Sequence, residues 1–388
     1  MEHNKGKFNS TFGFLMASIG SAVGLGNLWG FPYKMGAGGG FAFLVIYLIM
    51  VVFVGYPLIL GEIALGRKTQ KGAIEAYRIA DRRFTCSGIF ETIVPFLLIC
   101  FYCTMGGYVI KYMIANLGDV FGAGWGTGRG DSGAYFGEFI SSTPAIFFGA
   151  LFLLLTVLIV LGGVSGGIEN FSKFAMPALF VMLVIVIIRS LTLDGAVEGL
   201  KFMFVPGYAV EGGFIEEAPN FITVLATAGG QMFFSLSLAM GVMFTYGSYL
   251  SKKENLVKNA ALIVFSDTLV ALMAGLAVIP AAVAISGPSA TLSGPKLLFI
   301  TLQDVFNAMG TAGPLFGVLF YLLVLIAALT SAVSLVEVVT TFFLDRAEEK
   351  GKKGNRSKVV LIVCLAILVE ASIVAIDGLG AGGLGESL

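Results

Sequence analysis

Charge and histidine are what this sequence has least of. Of its 388 residues only 12% are Asp, Glu, Lys or Arg, and the one histidine, His3, lies in a short polar N-terminal stretch. Soluble domains carry about a quarter charged residues, so a water-facing surface along the whole chain is excluded. The 24 basic and 24 acidic residues cancel, which removes any overall pull toward nucleic acid. Cysteine is scarce too: Cys86, Cys100, Cys103 and Cys364 find too few partners for a zinc site or a disulfide framework. They read as small apolar residues, with Cys100 and Cys103 on one helix face. No nucleophile/base pair or metal cluster suggests an enzyme.

What the chain has instead is apolar sequence, 57% hydrophobic with a mean hydropathy of +0.92. Windows of about 19 residues pick out segments near 11–34, 41–66, 89–117, 144–162, 171–192, 219–249, 258–286, 314–344 and 358–376. This is the pattern of an all-α polytopic membrane protein with about nine spans. No small-residue cleavage pattern follows the first, so it reads as a retained span and not a signal peptide. Most of the basic residues fall on Lys5, Lys7, the 67–83 loop, Lys173, the 252–258 loop and the 346–358 loop. That asymmetry predicts a cytoplasmic N-terminus in the cell membrane. Of the opposite connections, 118–143, 193–218 and 287–313, the last contains an apolar stretch, 297–306, that reads as a helix folded over the outer mouth.

Two of the spans are built to break. Gly20-Ser-Ala-Val-Gly-Leu-Gly-Asn-Leu-Trp-Gly-Phe-Pro32 places four glycines and a proline inside the first span, and Gly229 to Gly241 interrupts the sixth. Each glycine costs a helix about 1 kcal/mol relative to alanine, and proline removes a donor. Within a bilayer, unwound backbone is tolerated only beside protein or a water-filled cavity. Packing glycines explain one such span well, but two with polar Asn27, Gln231, Ser235 and Ser237 point to a ligand site. Spans one and six are five apart, so a five-span repeat returns inverted, and paired broken helices mark the site of an inverted-repeat transporter. Half-helix N-termini suit a carboxylate and half-helix C-termini a cation.

These residues resemble the neurotransmitter:sodium symporter family in its bacterial amino-acid transporter form. The resemblance runs from Lys5 to about Gly378 and rests on five pieces in order: Gly20 to Asn27 with Phe31-Pro-Tyr33, Gly61-Glu-Ile-Ala-Leu-Gly-Arg67, Gln231 to Ser237, Thr245-Tyr-Gly-Ser-Tyr249 and Ala327-Ala-Leu-Thr-Ser331. It implies a 5+5 inverted-repeat fold, with residues 1–192 as the first repeat and 193–388 as the second. It implies sodium-coupled import of neutral, hydrophobic or aromatic amino acids by alternating access. A sensor that binds without transporting, or an inactive truncated transporter, is the alternative.

The resemblance also implies two sodium sites. The first takes Ala22, Asn27, Ser235 and, directly or one shell out, Asp267, the lone acid of span seven, whose charge makes chloride unnecessary. The second takes Gly20, Val23, Ala327, Thr330 and Ser331, although hydroxyls within a span also bond back to their own helix. The substrate carboxylate meets the amides of Leu25 and Gly26 and the hydroxyl of Tyr102; its amine meets span six near Phe234 and Ser237. Leu98, Ala239, Met240, Ala328 and Leu335 line an apolar pocket that disfavours charged side chains. Lys5 and Asp345 pair as an inner gate above Phe8, Ser248 and Tyr249, Glu62 holds the unwound backbone of span six, and Gly167 to Pro177 opens span five. The implied partners are the amino acid and the bilayer, and a homodimer is left open. Two departures stand out. Gly30 replaces the arginine of the outer gate, and the second repeat lacks a tenth span, as expected of a partial sequence.

Overall fold

The computed structural model describes residues 7–378 except 129, 141, 252, 291, 293 and 353. Those residues form helices and short connections, with no strand among them. Seven helices are long and apolar enough to cross a bilayer: Phe41–Thr69, Arg82–Val120, Thr143–Leu161, Val164–Leu191, Leu256–Ser289, Gly310–Glu349 and Arg356–Ile376. They are spans two, three, four, five, seven, eight and nine. Thr11–Ala22 and Gly26–Ala37 make a bent span one, turned by 43° at the break. The halves of span six, Phe221–Ser235 and Val242–Ser248, are each too short to cross alone. Large apolar side chains such as Phe53 and Phe174 are exposed on the outside of the bundle, as a lipid-facing surface requires.

Local chemistry fixes several starts. Ser10, Asn220, Asn255 and Asn355 each accept an amide hydrogen of the first turn of the helix they precede. Pro32 sits in the first turn of Phe31–Ala37, where a missing amide hydrogen is harmless. The break in span one is therefore narrower than the glycine pattern suggests. Val23 is extended, Gly24 is the other non-helical residue, and Gly26–Gly30 winds as a π-helical turn. In span six the break fills only the second half of the expected stretch: Gly229 and Gly230 lie inside the helix, and 236–241 is open. There Ser237, Ala239 and Gly241 have φ of 52°, 57° and 65°, a left-handed conformation that costs the two non-glycines about 1–3 kcal/mol each.

Spans three and four pack backbone against backbone at Gly107. A Cβ there would lie 2.5 Å from the Gly149 amide nitrogen, whereas a Cβ on Gly149 meets Cys103 O at 3.4 Å. Gly107→Ala is expected to destabilise the fold by about 1–3 kcal/mol, the usual scale for overpacking, and Gly149→Ala by much less. Thermal midpoints of the detergent-purified variants test the difference.

One end of the bundle gathers the basic connections. Arg67 donates to the Glu254 carbonyl, Lys71 pairs with Glu348, and the Asn9 amide, just ahead of span one, donates to Glu169 in the opening turn of span five. On the short helix Ala73–Ala80, burial, helped by a hydrogen bond to Glu349, pushes the Glu75 carboxyl up to about 7. A raised carboxyl favours the fold when protonated, so this contribution is present below pH 4.5 and lost as pH rises through about 7. Glu75→Gln should flatten the stability profile across that window, read by thermal midpoints in a pH series.

At the other end the helix expected over the mouth is present as Leu297–Thr301 and Leu302–Ala308. Asn116 and Gln303 exchange amide hydrogen bonds of 2.9 and 3.3 Å, which fasten it to span three. The Trp29 indole donates to Gly294 O at 2.7 Å and stacks with Tyr33 and Phe101.

Candidate functional site

The two breaks face each other. Gln231 reaches across from span six and donates to the Gly26 carbonyl at 2.7 Å. A Cβ on Gly30 would lie 3.1 Å from that same Gln231 side chain, so the glycine standing where an arginine was expected leaves room for an amide link between the broken helices.

Asn27, Ser235 and Asp267, all fully buried, form one cluster. The Asn27 amide donates to Asp267 Oδ1 at 2.7 Å and to Ser235 Oγ at 3.1 Å, and Ser235 donates to Asp267 Oδ2 at 2.8 Å. The Asn27 oxygen accepts from the Gly24 amide at 3.0 Å. One carboxylate thus ties span seven to both breaks with no basic side chain in the cluster. Such a buried charge needs a cation, and a set of oxygen donors with one negative charge suits a hard monovalent ion. Ala22 is buried where the first half-helix ends.

A second cluster joins span one to span eight. Thr330 Oγ1 lies 3.5 Å from Val23 O and donates to Ala327 O on its own helix at 2.9 Å. It therefore bonds back and also reaches across. Ser331 crosses fully, donating to Ser21 O at 3.0 Å. A Cβ on Gly20 would meet Thr330 Cβ at 3.2 Å, and one on Gly24 would meet Ser331 Oγ at 2.2 Å. Those bare glycines let the hydroxyl pair approach the broken backbone.

The substrate candidates are arranged around the same breaks. Tyr102 is buried with its hydroxyl 3.4 Å from the Cβ position of Gly24, and the half-buried Phe234 ring lies 3.0 Å from that of Gly26. Leu25, Met240, Ala328 and Leu335 are buried, Leu98 is half-buried, and Ala239 is exposed. Ser237 donates to Ser21 O at 3.3 Å.

On the basic face, Phe8 packs edge-on against Tyr246 and Tyr249, and Glu62 accepts the Ala239 amide at 3.0 Å. Asp345 accepts the Gly72 amide at 2.8 Å and lies 3.6 Å from Lys71; Ser248 donates to Thr245 O. Lys5, expected as the partner of Asp345 in an inner gate, lies outside the described residues. Gly167 to Pro177 starts span five with a π-helical turn, Val164–Glu169.

Sequence reasoning missed three groups. The Ser21 carbonyl takes two hydroxyls from different spans. Arg356 and Glu337 form a two-pronged ion pair at 3.0 and 2.6 Å, to which Tyr249 adds a hydroxyl at 2.8 Å. Glu91, buried near the start of span three, accepts from Tyr77 at 2.8 Å. A lone acid inside an apolar run marks Glu91 and Glu337 as it marks Asp267, and that signal was available.

Comparison with known proteins matches this arrangement. Residues 5–127 and 147–383 fit the family model described as the sodium:neurotransmitter symporter family. The uncharacterized sodium-dependent transporter YhdH of Bacillus subtilis is 39% identical, over 92% of this chain and 77% of its own length. The sodium- and chloride-dependent GABA transporter ine of Drosophila melanogaster is 27% identical, over 91% of this chain and 41% of its own length. The crystal structure of MhsT in complex with L-phenylalanine superposes with a TM-score of 0.84 at 34% identity, covering 99% of this chain and 82% of that one. With its all-helical bundle, two broken spans and buried oxygen clusters, the chain belongs to the sodium:neurotransmitter symporter family, sodium-coupled membrane transporters and not enzymes.

Proposed function

We propose that this protein imports neutral, apolar or aromatic amino acids, phenylalanine among them, together with two sodium ions and without chloride. The observation that carries this reading is the Asn27–Ser235–Asp267 cluster at the meeting point of both breaks. Asp267 supplies in place the negative charge that a chloride ion would otherwise bring. Asn27, Ser235, the Ala22 carbonyl and Asp267 hold one ion; Gly20, Val23, Ala327, Thr330 and Ser331 hold the other. Filling the first site requires the Asn27 amide to turn its oxygen inward, away from the Gly24 amide, so ion entry reorganises the break.

The amino-acid carboxylate lies against the Leu25 and Gly26 amides and Tyr102, and Phe234 covers it. The side chain extends toward Leu98, Ala239, Met240, Ala328 and Leu335, where no charged group offers a partner to a charged substrate. This matches the phenylalanine in the MhsT complex. Residues 1–192 and 193–388 act as the two inverted halves, the N-terminus is cytoplasmic, and the protein resides in the cell membrane, with a homodimer compatible with its lipid-facing surface. One sodium moving down 100 mV releases about 2.3 kcal/mol, roughly fifty-fold accumulation, and two release about 4.6.

The test is binding and uptake of a panel of neutral and charged amino acids in proteoliposomes with sodium, potassium or choline. Sodium-dependent accumulation of the neutral aromatic and branched members is expected, unchanged when gluconate replaces chloride. Binding indifferent to replacing sodium by choline would overturn the mechanism. Sodium-dependent binding without accumulation would make the protein a sensor.

A further inference from the structure

Trp29 joins the break of span one to the outer helix. Its indole nitrogen donates to Gly294 O at 2.7 Å, and the same carbonyl accepts the Leu297 amide at 3.2 Å in the turn that starts the helix. Gly294 presents that carbonyl from a left-handed backbone, φ 57°, which glycine adopts without steric cost. Leu292 packs on the outer half of span one at Gly36, where a Cβ would lie 2.7 Å from the leucine Cβ. The helix itself is held by other spans. Asn116 fastens it to span three through Gln303, and the Tyr321 hydroxyl of span eight donates to Leu298 O at 2.8 Å.

The indole also fills the space between spans one and three. It stacks on Phe101 with 6.0 Å between ring centroids and 30° between planes, and Phe101 meets Tyr102 edge-on. Tyr33, one turn further along span one, stacks on it as well, with the Lys34 ammonium 4.9 Å from the tyrosine ring centre. Trp29 belongs to the π-helical turn Gly26–Gly30, so it stands three residues from the Gly26 amide assigned above to the substrate carboxylate. Its neighbour Gly30 has no side chain to form an ion pair across the entrance, and a Cβ there would already lie 3.1 Å from Gln231. Closure from outside needs another contact, and Trp29 is the side chain of this turn that reaches the outer helix.

We infer that Trp29 is the latch of the outer side: its hydrogen bond to Gly294 and its stack on Phe101 tie the outer half of span one to the outer helix while the site is closed, and both break when it opens outward. This rests on the transport reading above and adds to it the residue that shuts the pocket. A neutral indole–carbonyl bond shifts an equilibrium by about two- to tenfold, less than a charge-assisted pair, and salt does not screen it. The outer side of this protein thus opens more readily than one held by an ion pair, and equally at low and high ionic strength.

The chain has two tryptophans, Trp29 and Trp125, so emission from the Trp125→Phe protein reports Trp29 alone. In lipid nanodiscs with sodium and phenylalanine, acrylamide should quench it far less than it quenches free N-acetyltryptophanamide. Trp29→Phe keeps a ring and removes the donor. Hydrogen exchange at amides 294–308 and dissociation of bound phenylalanine should both accelerate in that variant by about two- to tenfold. Gly294→Ala is opposed by backbone strain alone, since its Cβ would meet nothing within 4 Å among the described residues. It should accelerate the same two rates and open Trp29 to acrylamide.

An indole quenched as readily as the free compound would overturn the latch, and so would exchange and dissociation unchanged in Trp29→Phe. A dissociation rate that climbs with ionic strength at constant sodium would also sink it, because that is the mark of an ion pair. If the wild type binds no phenylalanine, the proposed function fails, while quenching and exchange still decide whether Trp29 holds the outer helix.

Discussion

Asp267→Asn is expected to weaken sodium-supported phenylalanine binding by about 100-fold or more at neutral pH. Asp267 is completely buried, and it is the only charged side chain hydrogen-bonded within the cluster that spans both breaks. The substitution keeps the size of the side chain and can keep its hydrogen bonds, since the Ser235 hydroxyl can turn from donor to acceptor. What it removes is the negative charge that would face an ion in the proposed first site. Loss of one partner from a buried charge pair costs about 3–5 kcal/mol, or roughly two to three and a half orders of magnitude in affinity. A sodium titration of phenylalanine binding measures the change. If Asp267 does the work that chloride does elsewhere, chloride should recover part of the lost sodium affinity in the variant and leave the wild type unaffected. Equal sodium affinity in wild type and variant would remove Asp267 from the site.

The same residue shows what could be read in advance. A carboxylate in the middle of an apolar run is expensive enough that sequence alone gives it a purpose, and the structure supplies its partners, Asn27 and Ser235. The glycine-marked stretches contain both breaks, but each break occupies only part of its stretch. Gly229 and Gly230 are wound into helix, and the break is set instead by Ser237 and Ala239, whose left-handed backbone no residue type announces. That conformation is imposed by tertiary contacts, the Glu62 carboxylate on the Ala239 amide and the Ser237 hydroxyl on Ser21 O, and contacts between distant segments leave no local pattern.

Arg356 illustrates the opposite error. At the head of span nine it counted as one more basic loop residue, because charge near a span end normally faces water. Its guanidinium turns inward to a carboxylate on another span, and a pairing between spans cannot be inferred from hydropathy.

Arg356→Ala should release the basic face. The guanidinium binds both oxygens of Glu337 and donates to the Val160 carbonyl at the end of span four at 3.0 Å, while Tyr249, closing span six, donates to the same carboxylate. Four spans thus meet on one ion pair, and Glu337 is fully buried. Without the arginine that charge keeps, among the described residues, a tyrosine hydroxyl, a loss of about 3–5 kcal/mol, and the protein can recover part of it by admitting water, which means opening this face. A thiol at Ser248→Cys, buried in the closed form and placed in a Cys86→Ser background, should then react with a water-soluble reagent more than about tenfold faster. The double variant Glu337→Gln/Arg356→Ala removes the uncompensated charge while keeping an acceptor for Tyr249. It should return labelling and thermal midpoint most of the way to wild type, because removing both partners is far less costly than orphaning one. Equal labelling of the single and double variants would show that the arginine acts by packing alone and that its charge plays no part in holding the face shut.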